Sequence, residues 1–304
     1  MTVKELINSI DKVEKIANLS KVGRLLYNPF KYTYAVFYRK FVYPKNRQEK
    51  IIDTQLFYSK NMRIALPAST DIYLTGGKSH SSEIRLAKFL IQNLSEGDQF
   101  MDIGAHYGYF TLLGAEIVGK SGTVFAFEPS NNSFEILSHN ASGLSNVKIF
   151  KQAISSAEGT LEFFEFSNLH AEYNSIDITQ FSEEEWFKVA PPKKISVQAS
   201  TIDNITNAYQ FSPKIIKIDV EGAEHHVING GISYLQSHAP ILVMEYLEPN
   251  RNNEPHKLAY ERLINLGYTS KIITADGSLS PVNDIDAYLK KNNLESDNIA
   301  FVKI

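Results

Sequence analysis

The sequence predicts an α/β fold: a doubly wound, mostly parallel sheet of seven strands, helices on both faces, and a helical appendage at the N-terminus. Three observations carry this expectation. The runs QFMDI, TVFAFE, VKIFK, KIIKID and PILVMEY put apolar side chains on consecutive positions, so both faces of each strand must be covered. Helical stretches alternate with these runs, as βα units require. A glycine-bearing turn at residues 102–108 stands where the first buried strand meets a helix.

The elements follow in order. Residues 1–60 read as an appendage in which YNPFKYTYAVFYRKFVY is crowded with aromatic and basic residues. The expected role of Phe30, Tyr34, Phe37 and Phe41 is a helical stripe docked on the main domain. The alternative is peripheral contact with an anionic membrane surface, which aromatic rings beside Lys31, Arg39, Lys40 and Lys45 suit. The main domain, residues 61–304, opens with a helix at Ser81–Asn93 whose Ile84, Ala87, Ile91 and Leu94 share a face. Further helices are expected after Gly108, around Phe134–His139, at Ala223–Leu235 and at Lys257–Leu266. TLEFFEF and KISVQAS read as a strand pair added to the sheet or its rim. The polar stretch between them, a lid near residues 167–193, holds the only tryptophan. Thr269–Thr274 and Asn298–Lys303 should close the sheet with an antiparallel element.

Composition narrows the function. With 304 residues and 43% hydrophobic content, the chain can bury one α/β core of roughly 200–250 residues plus an appendage. A net charge of -3 with mixed signs gives no support to nucleic-acid binding. The absence of cysteine excludes disulfides, thiolate zinc sites and cysteine nucleophiles. Charges interrupt the N-terminal apolar residues before they amount to a signal peptide or a span, so a cytoplasmic protein is expected. Oligomeric state is not readable.

The sharpest local signal is Asp102-Ile103-Gly104-Ala105-His106-Tyr107-Gly108. In an open α/β sheet the ligand crevice lies at the carboxyl ends of strands where the winding reverses, and the first strand-to-helix turn lines it. The helix beginning after Gly108 offers N–H groups to a carboxylate. A dinucleotide fingerprint would read G-x-G-x-x-G, whereas these glycines are spaced G-x-x-x-G beside an acid. S-adenosylmethionine carries a sulfonium, an ammonium and a carboxylate but no phosphate, and so matches an anionic wall beside a helix terminus. Glu128, at the end of the next strand, can accept both ribose hydroxyls, and Pro129 stops that strand. Ala153, Ile154 and Ser155 follow a third strand, where small residues and backbone groups could pack on adenine and reach its edge nitrogens. Glu83, in the first turn of its helix, could close over the cofactor.

FMDIGAHYGYFTLL, GTVFAFEPS, NVKIFKQAISSAEGTLEF, STIDN, KIIKIDVEGAEHHVINGG and PILVMEY together resemble the FkbM family of S-adenosylmethionine-dependent methyltransferases, in the class I Rossmann-like group, over residues 75–304. The resemblance implies cofactor contacts at Asp102, Gly104, Ala105, Gly108 and Glu128. It also implies a hydroxyl acceptor on a sugar, glycan or specialised metabolite. His106 stands where the family has a small polar residue such as asparagine.

Methyl transfer to an alcohol needs an aligned acceptor and a group to take its proton. Asp219, ending KIIKID, is the expected base, with Glu221 and Glu245 as companions. Three carboxylates at adjoining strand ends could instead hold a divalent cation. The base reading is preferred because no further ligand is evident. Glu224 is read as a helix-start acid. His225, His226, His80 and His170 are weaker candidates for a base. The rival functions are a nicotinamide-dependent oxidoreductase and a cofactor-binding protein without activity.

Overall fold

In the computed structural model, residues 1–167, 169, 174–176, 187, 191–251 and 253–303 are described. The expected lid, including His170, lies almost wholly outside them.

The chain begins with α1 (Val3–Ala17), whose Thr2 and Glu5 form a reciprocal cap. After α2 (Lys21–Tyr27), α3 (Pro29–Phe37) continues through a π-helical turn into α4 (Tyr43–Asn46). β1 (Lys50–Gln55) and β2 (Asn61–Leu66) pair as an antiparallel hairpin, so the boundary expected at residue 60 falls inside a hairpin turn. Leu6, Ile10 and Val13 of α1 are buried in the same core as Leu86, Phe89 and Leu90 of α6 (Ser81–Asn93). Lys88 of that helix pairs with Asp11 at 2.9 Å and Glu14 at 2.7 Å. Between hairpin and α6 lies α5 (Thr70–Thr75).

The main sheet is built from β3 (Gln99–Ile103), α7 (Tyr109–Val118), β4 (Thr123–Phe127), α8 (Asn131–Ala141) and β5 (Val147–Phe150). It is completed by β9 (Ile215–Ile218), β10 (Ile241–Leu247), β11 (Thr269–Ile273), β12 (Leu279–Pro281) and β13 (Ser296–Val302). The strand order is β12-β11-β13-β10-β9-β3-β4-β5. It has eight strands where seven were expected, the extra one being the three-residue edge β12, too short to register in the apolar pattern. β10, β9, β3, β4 and β5 are mutually parallel, and β13 inserts antiparallel beside β10. Between the last strands, where no convincing long helix was expected, lies the eight-residue helix α13 (Ile285–Asn292).

Alternate residues of each strand enter different cores. Phe100, Val124, Ile215 and Val243 lie in one, and Met101, Phe125, Ile216 and Met244 in the other. Two-sided burial is why these strands read as unbroken apolar runs. From β3 the chain winds through β4 to β5, then returns to place β9 on the other side of β3. The winding therefore reverses between β3 and β9.

The return passes through a small rim sheet of β6 (Ala153–Ile154), β7 (Gly159–Glu165) and β8 (Lys193–Ser200), in which β7 and β8 form the expected strand pair, antiparallel to each other. α9 (Ile202–Tyr209) leads into β9. The helix expected at Ala223–Leu235 is split into α10 (Glu224–Asn229) and α11 (Ile232–His238). The break is at Gly230, where a Cβ would stand 2.0 Å from the carbonyl oxygen of Ser155, so this corner must touch the rim sheet backbone to backbone. α12 (Glu254–Asn265) follows β10.

Candidate active site

A cavity of about 730 Å³ opens at the carboxyl ends of β3, β4, β9 and β10, where the winding reverses. Gly104, Ala105, His106, Tyr107, Glu128, Pro129, Ala153, Ile154, Asp219, Glu221, Glu245 and Glu83 all line it. Three residues expected to contact the cofactor, Asp102, Gly108 and Ser155, do not. Asp102 is wholly buried one position short of the strand tip and shares a face with Phe100, turned toward the core beneath α7. Its carboxylate accepts from the Thr111 hydroxyl at 2.6 Å and pairs with Lys217 at 3.3 Å. Gly108 starts α7 at φ +89, and a Cβ there would meet Leu137 at 2.6 Å, so it serves the packing of α7 on α8.

Gly104 brings the strand tips together. Its φ is +75, and an added Cβ would stand 1.7 Å from the Asp219 carbonyl oxygen. The amides of Gly104 and Ala105 both donate to the Phe127 carbonyl at 3.0 Å, and Asp219 N–H donates to Ile103 at 3.1 Å, so the ladder persists past the strand ends. His106 follows at φ +50, a region where asparagine and histidine are tolerated better than most side chains. Its ring stacks on Tyr107 at 3.7 Å, and burial first, then the Lys78 ammonium, depress its pKa to about 3. A neutral imidazole results, with Nε2 buried and without a hydrogen bond among the described residues.

Glu128 sits at the tip of β4. One oxygen accepts the His106 amide at 2.8 Å and the other the Ser130 amide at 3.0 Å, which fixes the carboxylate toward the cavity with lone pairs to spare. Burial pushes its pKa up to about 7 despite both bonds.

On the opposite wall, Lys217 lies 3.3 Å from both Asp102 and Asp219 and donates to the Gly104 carbonyl at 2.8 Å. Burial disfavours its ammonium, but Asp219 and Asp102 outweigh that and raise its pKa. Lys78 pairs with Glu83 at 2.9 Å and is raised likewise, Glu83 and Asp219 prevailing over burial. For Asp219, burial is outweighed by Lys217 and Lys78, so its pKa is lowered. Glu245 has the reverse balance: burial, then the nearby Asp219, raises it to about 7. Glu245 does not end its strand, since β10 runs on to Leu247 against β13. It is the first residue beyond the pairing with β9. Oxygens of Asp219, Glu221 and Glu245 lie within 4.8 Å of one another.

Lys217, Lys78 and Arg251 were missed from sequence. A lysine inside a run of isoleucines was the available signal, since a charge buried there requires a partner. His256 was missed too, and it stands behind Glu245 with Nδ1 3.0 Å from that residue's carbonyl oxygen. Glu224 is buried and accepts from the Gly222 amide at 3.1 Å, the helix-start role expected of it. His225 and His226 pack on each other, 3.9 Å between ring centroids, away from the cavity lining. His80 does line the cavity, bonded to Ser82 at 2.6 Å.

Among the described residues, seven carboxylates line the cavity against Lys78, Lys217 and Arg251, each of which already pairs with an acid. The wall therefore favours a cationic ligand over a pyrophosphate. Fold and site together have the architecture of the class I Rossmann-like methyltransferases, a fold that in general uses S-adenosylmethionine. The family described as "Methyltransferase FkbM domain" matches residues 102–293, and the chain belongs to it.

Among its relatives is the hexuronic acid methyltransferase AglP of Haloferax volcanii, 24% identical over 152 residues, 49% of this chain and 56% of that protein. The methyltransferase sdnD of Sordaria araneosa is 26% identical over 46% of this chain and 62% of its own length. The 2-O-methyltransferase NoeI of Sinorhizobium fredii is 25% identical over 58% of this chain and 74% of its own. The chain thus spans less than two thirds of the first two. Among solved structures, the methyltransferase FkbM of Methylobacillus flagellatus has a TM-score of 0.41 and 13% identity, over 77% of this chain and 52% of that one.

Proposed function

We propose that the chain binds S-adenosylmethionine in this cavity and O-methylates a hydroxyl-bearing acceptor, of which a sugar or glycan is the best supported class. The observation that carries the reading is the fixed Glu128 carboxylate at one strand tip, facing an acid-rich wall at its neighbours. Glu128 would accept the ribose hydroxyls. Ala153 and Ile154 supply an apolar surface for the adenine. Glu83 and Asp219 face the ammonium end, and the start of α7, which no side chain caps, faces the carboxylate. The spare Nε2 of His106 fits a polar ligand lying against this turn.

The cofactor supplies an electrophilic methyl group activated by its sulfonium. The protein aligns the acceptor oxygen, keeps water out and takes the hydroxyl proton. Sequence pointed to Asp219 for that last role. The pKa directions favour Glu245, which sits near neutrality, over Asp219, whose ion pair with Lys217 makes it the weaker base. Asp219 then acts in the field around the sulfonium. The names of AglP and NoeI, a hexuronic acid enzyme and a 2-O-methyltransferase, support the sugar class.

A second reading has Asp219, Glu221 and Glu245 hold a divalent cation that lowers the acceptor's pKa, on the strength of their mutual spacing. The main proposal is tested by calorimetric titration with S-adenosylmethionine, followed by labelled methyl transfer into uronic-acid-containing and neutral glycans. Saturable binding with label in a glycan hydroxyl is expected; absence of binding refutes it.

A further inference from the structure

We propose that the outward face of residues 19–47 is a docking surface for an anionic lipid bilayer. The sequence left two readings for this segment, and the burial separates them. The inward face of α3 and the π turn carries Tyr34, Ala35 and Tyr38, with Ala35 and Tyr38 buried. This face rests on α5: Lys31 Nζ donates to the Tyr73 carbonyl at 3.1 Å, and the rings of Tyr34 and Tyr73 lie 6.2 Å apart. Of the four residues expected to dock, Tyr34 faces inward, whereas Phe30, Phe37 and Phe41 point the other way. They are 86%, 55% and 57% exposed, and on α2 Val22 and Leu26 are 65% and 78% exposed. Seven of the thirteen exposed large apolar side chains among the described residues fall between Leu19 and Phe41, which is far more than scattered surface residues would give.

Charge identifies the occupant. Between Lys15 and Glu49 the sequence holds seven lysines and arginines and no acid. Lys21, Arg39, Lys40 and Lys45 are exposed beside the apolar side chains. A bilayer with acidic headgroups takes both components, the rings and aliphatic chains at the acyl boundary and the cations at the phosphates. A second copy of the same face would set cations against cations. A nucleic acid would leave Val22 and Leu26, which have no π-face to stack, without a partner. No helix among the described residues is long and apolar enough to cross a membrane, so the contact is interfacial. The surface adjoins the cavity through α5, since Asp71 and Ile72 line the cavity wall.

The test is co-sedimentation of the full chain with vesicles of phosphatidylcholine alone and with about 30% phosphatidylserine. Binding is expected only to the anionic vesicles and should weaken steeply between about 20 and 300 mM salt. Arg39→Gln with Lys40→Gln should weaken partitioning about 30-fold, each cation near such a surface being worth about fivefold. Phe30→Ser with Leu26→Ser should weaken it at least about tenfold. Thermal melts should be unchanged in both variants, because all four side chains are exposed. The proposal is overturned by failure to sediment with anionic vesicles at low salt, or by binding that both variants retain. It is equally overturned by a dimer that forms without lipid and is lost in the apolar variant, or by binding of single-stranded RNA that only the charge variant loses.

Discussion

Asp102 and Lys217 are register partners on the adjacent parallel strands β3 and β9, their charged atoms 3.3 Å apart and their side chains 0% and 5% exposed. Asp102 lies beneath the cavity floor and Lys217 lines it. From there Lys217 reaches Asp219 on one side and the Gly104 carbonyl on the other, so one buried cation ties together the two strand tips that form the site.

Asp102→Asn should therefore act on stability before it acts on binding. The substitution leaves Lys217 buried with one carboxylate instead of two and weakens the Thr111 bond. A loss of about 3 kcal/mol is expected in urea unfolding. Cofactor affinity of the folded protein should stay within about threefold of the parent in calorimetry, because Asp102 does not line the cavity. A large affinity loss with unchanged unfolding would place Asp102 at the ligand after all.

Glu128→Gln should show the converse. The amide retains shape and one acceptor for the His106 and Ser130 amides, while the charge that accepts two ribose hydroxyls is lost. Two charge-assisted hydrogen bonds of about 1.5 kcal/mol each correspond to roughly a 150-fold weaker dissociation constant for S-adenosylmethionine. Titration calorimetry reads this directly, and an unchanged constant would remove Glu128 from the ribose.

How far the sequence carried depends on what each residue's signal contained. The buried strands were legible because both faces are apolar, so no alternation could mask them. The bends at Gly104 and Gly108 were legible because positive φ calls for glycine. The orientation of Asp102 was not, although strand parity held the answer: it shares a face with Phe100 and falls one residue short of the tip. Lys78 reaches the site from the loop before α6, far from any strand motif, and only the folded chain brings it to Glu83 and Asp219. In the segment around α3 the sequence shows one aromatic stripe, and periodicity finds a stripe without saying which of its side chains face inward.

Stability and turnover should respond to pH with opposite signs. Glu128 and Glu245 both have folded pKa values raised from 4.5 to about 7. Between those values the folded state binds more protons than the unfolded chain, so these two groups stabilise fully below about pH 4.5 and progressively less as pH rises through 7. Urea midpoints of the ligand-free protein should therefore fall from pH 5 to pH 8 by less in a Glu245→Gln variant than in the parent. The rate with a hydroxyl acceptor should instead rise through about pH 7, as Glu245 loses its proton. A rate that is flat from pH 6 to 8 would leave Glu245 without a role as base.

Chelation separates the two readings of the carboxylate cluster. A divalent cation held by Asp219, Glu221 and Glu245 would stand in the field of Lys217 and Lys78, both of which already act on Asp219. Part of the negative charge available to a metal is thus spent on fixed ammonium groups. Glu245 keeps its raised pKa because Asp219, even so paired, still repels a second charge beside it. That balance suits a carboxylate that accepts a proton better than one that binds a cation. Dialysis against EDTA should accordingly leave turnover within about twofold, while Glu245→Gln lowers kcat by at least about 100-fold with little change in cofactor affinity. If EDTA abolishes turnover and magnesium or manganese restores it, the three carboxylates are ligands, and the rise in rate with pH then reports the acceptor hydroxyl on the metal instead of Glu245.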